Sequence, residues 1–362
     1  MLRKSLPLFC YSLIATLGFT MLSCGDDSDS KNMLDGDHIV VVQSAASAPA
    51  PTQVSLVELS TGTVTKLADC DGRGGQTVRS GNDLFIISHS NANSGTYVLN
   101  KFNLSTRTME RVADSEKETI PFSASPLAVH NDKLYFSGRD NNGWYICKVD
   151  NATFAVEDTI HVNNDLYGIN SLKFFGEQLF VNLGDQVKVY ANGSHKPSAV
   201  LKLDAVSGFD FMEDRSDRLV LPGVKSVVAI DPRNLSIDEL TQNVKVPPFF
   251  IAPTLAKDDN ILYAVFNFYL GIDPPGVHLT TKPLRFGKID LTTGETIWSS
   301  ETDDINVMFQ PEIIRYGKIQ NRLIVAGWTR PGGASGLQVL GIDGRLIKDI
   351  PLDGIPIDVI MD

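Results

Sequence analysis

The chain has 362 residues, a formal net charge of −11 and a hydrophobic content of 43%. The acidic balance argues against nucleic acid as a partner, because phosphate binding needs clustered Lys and Arg. The length suits one large domain or two small ones, and Gly, Pro, Asn and Asp at short intervals favour an all-β protein over a helical one.

At the N-terminus, Arg3 and Lys4 precede an apolar run from Leu6 to Leu22, which leads into Leu22-Ser23-Cys24-Gly25. A basic start, an apolar stretch short for a membrane span and small residues before a cysteine resemble a bacterial lipoprotein signal. The resemblance implies a signal peptide over residues 1–23, cleavage before Cys24 and acylation of its thiol. The alternative is an ordinary secretory signal with a chance cysteine. Cleavage removes two positive charges, so −11 becomes −13. The acidic run Gly25-Asp26-Asp27-Ser28-Asp29 is similar to the start of surface-exported lipoproteins of Bacteroidota. The expected location is therefore the outer membrane, lipid-anchored and surface-exposed. Residues 24–35 read as an acidic tether and 36–362 as the folded body. No later apolar run reaches membrane-span length, so only the lipid would hold the body to a membrane.

From residue 36 onward one pattern recurs. A polar turn leads into an apolar strand, then a variable loop, a second strand, another polar turn and a third strand. The strands after the first turn are His38-Ile39-Val40-Val41-Val42, Leu84-Phe85-Ile86-Ile87, Leu134-Tyr135-Phe136 and Leu179-Phe180-Val181. They continue with Leu219-Val220-Leu221, Ile261-Leu262-Tyr263-Ala264-Val265 and Leu323-Ile324-Val325-Ala326. First turns such as Gly81-Asn82-Asp83 and His130-Asn131-Asp132 are built from residues that tolerate turn dihedrals and bond their own backbone. The second turn recurs as Leu59-Ser60-Thr61-Gly62, Asp150-Asn151-Ala152-Thr153 and Asp290-Leu291-Thr292-Thr293-Gly294. An extended segment precedes each first turn, for example Phe209-Asp210-Phe211 and Ile313-Ile314-Arg315-Tyr316.

Four strands per unit at a period of ~40–50 residues is the pattern of a β-propeller blade. Seven copies predict a seven-bladed all-β propeller, with two stacked β-sandwiches as the alternative. The unit starting at His38 lacks its first strand, and the chain ends on a spare strand, Ile357-Asp358-Val359-Ile360. The C-terminal strand should therefore complete blade one and close the ring. Cys10 leaves with the signal, and Cys70 and Cys147 fall in non-adjacent blades, so both are expected to be unpaired.

The segment from Asp290 through Trp298 resembles the repeat motif of quinoprotein-like (PQQ-like repeat) propellers. That resemblance implies the fold and an inter-blade place for Trp298. It does not extend to a bound quinone, because the other units depart from the motif. Lipoprotein signal, tether and propeller together are similar to Bacteroidota surface lipoproteins that serve outer-membrane uptake systems.

Successive strands run up and down, so the short uniform turns share one face and the long diverse loops the other. The long-loop face gathers Arg73, His89, Arg139, Trp144, Tyr167, Phe268, Tyr269, Trp328 and Arg330 as candidate binding residues. Aromatic faces suit sugars or peptide side chains, and Arg grips carboxylates or phosphates in a fork. The alternative is that these aromatics pack the loops onto the blades. Catalytic signals are weak, and although carboxylate pairs could serve as acid and base, spacing does not tell which of them converge in a propeller. The six histidines are dispersed, with no zinc spacing. Asp69-Cys70-Asp71-Gly72 is only half a calcium loop, and no nucleophile elbow occurs.

The leading expectation is a monomeric, non-catalytic, lipid-anchored binding protein. It would capture a small molecule, glycan or peptide with its long-loop face and serve an outer-membrane transporter. No cofactor, metal or nucleic acid is expected. The alternatives are a glycan-active lyase or hydrolase on the same scaffold, and an assembly scaffold that binds protein.

Overall fold

The computed structural model describes residues 34–45, 51–90, 97–114, 122–140, 142–163, 168–203, 210–223, 226–240, 250–267, 284–298, 309–329 and 334–361. They form 28 strands in seven four-stranded antiparallel sheets, and no helix occurs among them. The fold is a seven-bladed β-propeller. Blade one orders β28 (Gly354–Ile360), β1 (His38–Ala45), β2 (Gln53–Glu58) and β3 (Val64–Asp69) from the centre outwards. The last strand is therefore the inner strand of the first sheet, with Ile360 opposite Val40 and Val359 opposite Val41. Blade two runs β4 (Arg73–Ser80), β5 (Asp83–His89), β6 (Tyr97–Asn103) and β7 (Thr108–Asp114). The inner strands of the remaining blades are β8 (Phe122–His130), β12 (Ser171–Phe175), β16 (Met212–Glu213), β20 (Phe250–Ala256) and β24 (Phe309–Gly317).

The continuous apolar runs of the second strands have a simple cause. Neighbouring side chains on a strand point to opposite faces, and each face of a blade meets another blade. Leu84 and Ile86 pack towards blade one, with Val40 and Val42. Phe85 and Ile87 pack towards blade three, with Leu134 and Phe136. Val40 and Val42 share that first interface, while Ile39 and Val41 meet Ile324 and Ala326 of blade seven. Seven such clusters fill the interfaces between adjacent blades, the ring-closing one included. The core is thus a set of radial layers, each shared by two sheets.

The two turn families also have a physical basis. The second turn needs one residue in the left-handed region in every blade: Gly62, Arg107, Phe154, Gly193, Leu235, Gly294 and Gly344. Glycine meets this without a Cβ clash. Three blades use a larger residue and so drift from the motif. In five of the blades an Asp or Asn side chain ties this turn, as when Asp150 Oδ1 accepts from the amides of Ala152 (3.0 Å) and Thr153 (2.8 Å). First turns place Gly81, Asn131, Asp132, Gly176, Asp217, Asn260 and Asn321 at positive φ, which explains their Asn/Asp/Gly signature. Cys70 and Cys147 are buried and outside any disulfide, and burial pushes the Cys70 thiol up to about 12. Asp69 and Asp71 push the Cys70 thiol the same way, the opposite of the electropositive setting of a reactive thiol.

Candidate functional site: a charged central channel

The inner strands β4, β8, β12, β16, β20, β24 and β28 surround a cavity of about 990 Å³ on the ring axis. Each is hydrogen-bonded on one side only, so each turns an unpaired backbone edge to the channel. The lining reaches residues beside the short turns, such as Arg79, Phe174, Glu213 and Leu255. It also carries charge: Arg79, Lys173 and Arg315 against Asp210, Glu213, Glu312 and Asp358.

Most of these groups are paired. The closing strand supplies Asp358, whose Oδ1 accepts from Arg315 Nη2 at 2.8 Å and whose Oδ2 accepts from Thr77 Oγ1. One carboxylate thereby joins blades seven, one and two. Lys173 Nζ lies 2.8 Å from Glu213 Oε1, and Lys257 donates to Glu213 Oε2 at 3.3 Å. Burial pushes the Glu213 carboxyl up, but these two ammonium groups outweigh it and hold its pKa below the ordinary value. Arg79 donates to the backbone oxygens of Gly81 (2.9 Å) and Met361 (3.2 Å). Glu312 accepts from the Trp328 indole at 2.9 Å.

Asp210 differs. It takes no hydrogen bond from the described residues. Burial raises its pKa, Asp358 adds to the rise, and Arg315 and Lys173 oppose it. Its surface is open to channel water, yet protein surrounds it. The surroundings govern its titration, because the dielectric is set by the atoms around a group and not by one wetted face. A carboxylate that water can reach, with free lone pairs and a raised pKa, is equipped to move protons.

Of the nine residues expected on the long-loop face, Arg73, His89, Arg139, Trp144 and Trp328 are described; they sit at strand ends away from the short turns, and none of these five lines the cavity. Arg73 and His89 face each other across β4 and β5, and the His89 ring lies 4.6 Å from Tyr97. Glycines make this approach possible, since a Cβ on Gly72 or Gly75 would collide with the carbonyl oxygens of His89 and Ile87. Arg139 and Trp144 are cross-strand partners, with the guanidinium 5.6 Å from the indole. Trp144 is half-buried and packs against the interface of blades three and four. It also covers Gly168, where a Cβ would meet Trp144 Cζ2 at 3.4 Å. Trp328 is likewise half-buried and bonded to Glu312. Tyr167, Phe268, Tyr269 and Arg330 lie outside the described residues, as does Cys24.

Sequence reasoning passed over Asp210, Lys173, Arg315 and Asp358. The signal available for all four is a charge between apolar neighbours on a first strand: Leu172-Lys173-Phe174, Phe209-Asp210-Phe211, Ile314-Arg315-Tyr316 and Ile357-Asp358-Val359.

The sequence matches no protein-family model and no curated protein. Solved structures do superpose. A Bacteroides fragilis protein assigned as a 6-phosphogluconolactonase aligns with TM-score 0.62 at 14% identity, over 93% of this chain and 99% of its own. The periplasmic gluconolactonase of Pseudomonas aeruginosa aligns with TM-score 0.62 at 13% identity, over 89% and 98%. A quinoprotein alcohol dehydrogenase-like protein of Bacteroides thetaiotaomicron gives 0.57 at 12% identity, over 90% and 78%. At such identities the likeness is one of fold. The expectation of a non-catalytic capture protein is corrected here. Two of these neighbours carry hydrolase names, and the cavity holds carboxylates among cations.

Proposed function

We propose that the protein is a hydrolase that opens a small lactone of a polyhydroxylated acid within its central channel. The observation that carries this reading is Asp210, water-accessible and unspent, beside an Arg315 that Asp358 and Thr77 hold in place. The lactonase names of the superposed propellers support it.

The chemistry follows from those groups. Asp210 takes a proton from a channel water as the water oxygen bonds to the lactone carbonyl carbon. The carbonyl electron pair moves onto oxygen, and the resulting oxyanion faces the Arg315 guanidinium. Collapse of the tetrahedral species breaks the ring C–O bond, and the leaving alkoxide recovers the proton from Asp210. Lactone and water become one hydroxy acid.

The test is acid release from glucono-δ-lactone, corrected for spontaneous opening. Asp210→Asn should lower kcat by ~10²–10⁴-fold, the usual worth of a general base. The wild-type rate should rise with pH as Asp210 ionises, through a pKa above the ordinary carboxylate value. A variant as active as wild type would overturn the assignment. The proposed location is the outer membrane, through a lipid on Cys24, which rests on the N-terminal sequence alone.

A further inference from the structure

We infer that the channel selects an uncharged sugar lactone and discriminates against its phosphorylated counterpart. This rests on the hydrolase reading and goes further, because it sets the substrate class by charge. Among the described lining residues, three cations stand against four carboxylates. The cations are also shared with protein acceptors: Lys173 with Glu213, Arg79 with two backbone oxygens, and Arg315 with Asp358 and the Ile314 carbonyl, which leaves one guanidinium edge for an oxyanion and no cluster of cations for a dianion.

Phosphate sites are built differently. They present clustered Arg and Lys, helix N-termini or nests of N–H groups, all of them donors. The described residues include no helix, and the channel wall is a ring of strand edges. A strand edge offers N–H donors and C=O acceptors in alternation. That mixture suits hydroxyl groups, which both donate and accept, and repels a dianion that only accepts. Thr77, Gln76, Asn170 and Thr254 add further neutral donor–acceptor groups to the wall. The net charge of −11 places the whole molecule in a field that opposes anions. The same field favours turnover of a neutral substrate: the lactone enters without charge and leaves as a carboxylate, which the channel expels. The volume of about 990 Å³ lies at the upper end of the ~300–1,000 Å³ usual for small-ligand sites.

Two measurements test this. The first compares kcat/KM for glucono-δ-lactone and 6-phosphoglucono-δ-lactone at low and high salt. The neutral lactone should be favoured by at least about tenfold, with added salt helping only the phosphorylated one. Glu213→Gln, which uncovers Lys173, should narrow the ratio. The second measures binding of the hydrolysis-resistant glucono-δ-lactam and its 6-phosphate by calorimetry. Tighter binding of the neutral lactam supports the inference even where no turnover occurs, an outcome that would remove the hydrolase reading alone. Equal or tighter binding of the phosphate, or no binding of either, overturns the inference.

Discussion

Two aspartates four residues apart show how placement decides what a carboxylate does. Asp214 is fully buried and fully used. Its Oδ1 accepts from the amides of Ser216 (2.9 Å) and Arg218 (3.0 Å), and its Oδ2 from Arg218 Nε (2.7 Å) and Nη2 (2.7 Å). It ties the long first turn of blade five, where β16 has only two residues to hold it. Asp214→Ala should leave Arg218 with only its exposed partner Asp238 (3.1 Å) and orphan the amides of Ser216 and Arg218, at a cost of about 2–3 kcal/mol. Urea unfolding reads this directly, and an unchanged midpoint would refute it. Asp210 is the opposite case. Folding raises its pKa, so the folded chain holds that proton to higher pH than the unfolded one. Its contribution to stability is full below the ordinary carboxylate pKa and is lost as pH rises through the raised one. At neutral pH Asp210→Asn should therefore raise Tm while removing turnover, the signature of a residue kept for function. A fall in Tm would point to a structural role.

At the scale of elements, the closing strand does two things at once. β28 puts Val359 and Ile360 into the interfaces with blades seven and two, and it delivers Asp358 to Arg315 and Thr77. Deleting residues 355–362 should open the ring, broaden the melting transition and lower its midpoint, because blade one loses its inner strand. Asp358→Asn is the finer probe. It keeps the strand and its apolar contacts but removes the charge that holds Arg315 and weakens the bond from Thr77, so activity should fall far more than the modest drop in Tm. A deletion variant that melts like the full chain would count against ring closure as the source of cooperativity. The repeated turns were legible because each needs a left-handed residue at one position. Arg107, Phe154 and Leu235 fill that position without the expected glycine, which is why the motif fades in blades two, three and five.

At the scale of the whole molecule, the chain enters the ring on the short-turn face. Leu34 is buried there, Gln320 Nε2 donates to the Asp35 carbonyl (3.0 Å), and Asp37 accepts from the Ser60 amide (2.9 Å). Nine residues then separate Cys24 from the first described position. A lipid on Cys24 would hold this face, onto which the charged end of the channel opens, towards the membrane. Cys24→Ala should move the protein from the membrane fraction to the soluble one. Palmitate labelling that survives the substitution would refute acylation at this residue.

The sequence by itself determined the repeat, the blade number and the closing strand. Each is written in local chemistry: apolar runs of strand length, turn residues at fixed offsets, and one unit missing the strand with which the chain ends. It also placed Cys70 and Cys147 in non-adjacent blades, too far apart to form a disulfide with each other. Only the tertiary structure decided where the chemistry sits. Asp210, Lys173, Arg315 and Asp358 come from four different blades and span just over half the chain, so no spacing relates them. Their convergence is a product of ring closure. Their charge balance and the raised pKa of Asp210 depend on burial and neighbours that exist only once seven sheets stand around one axis.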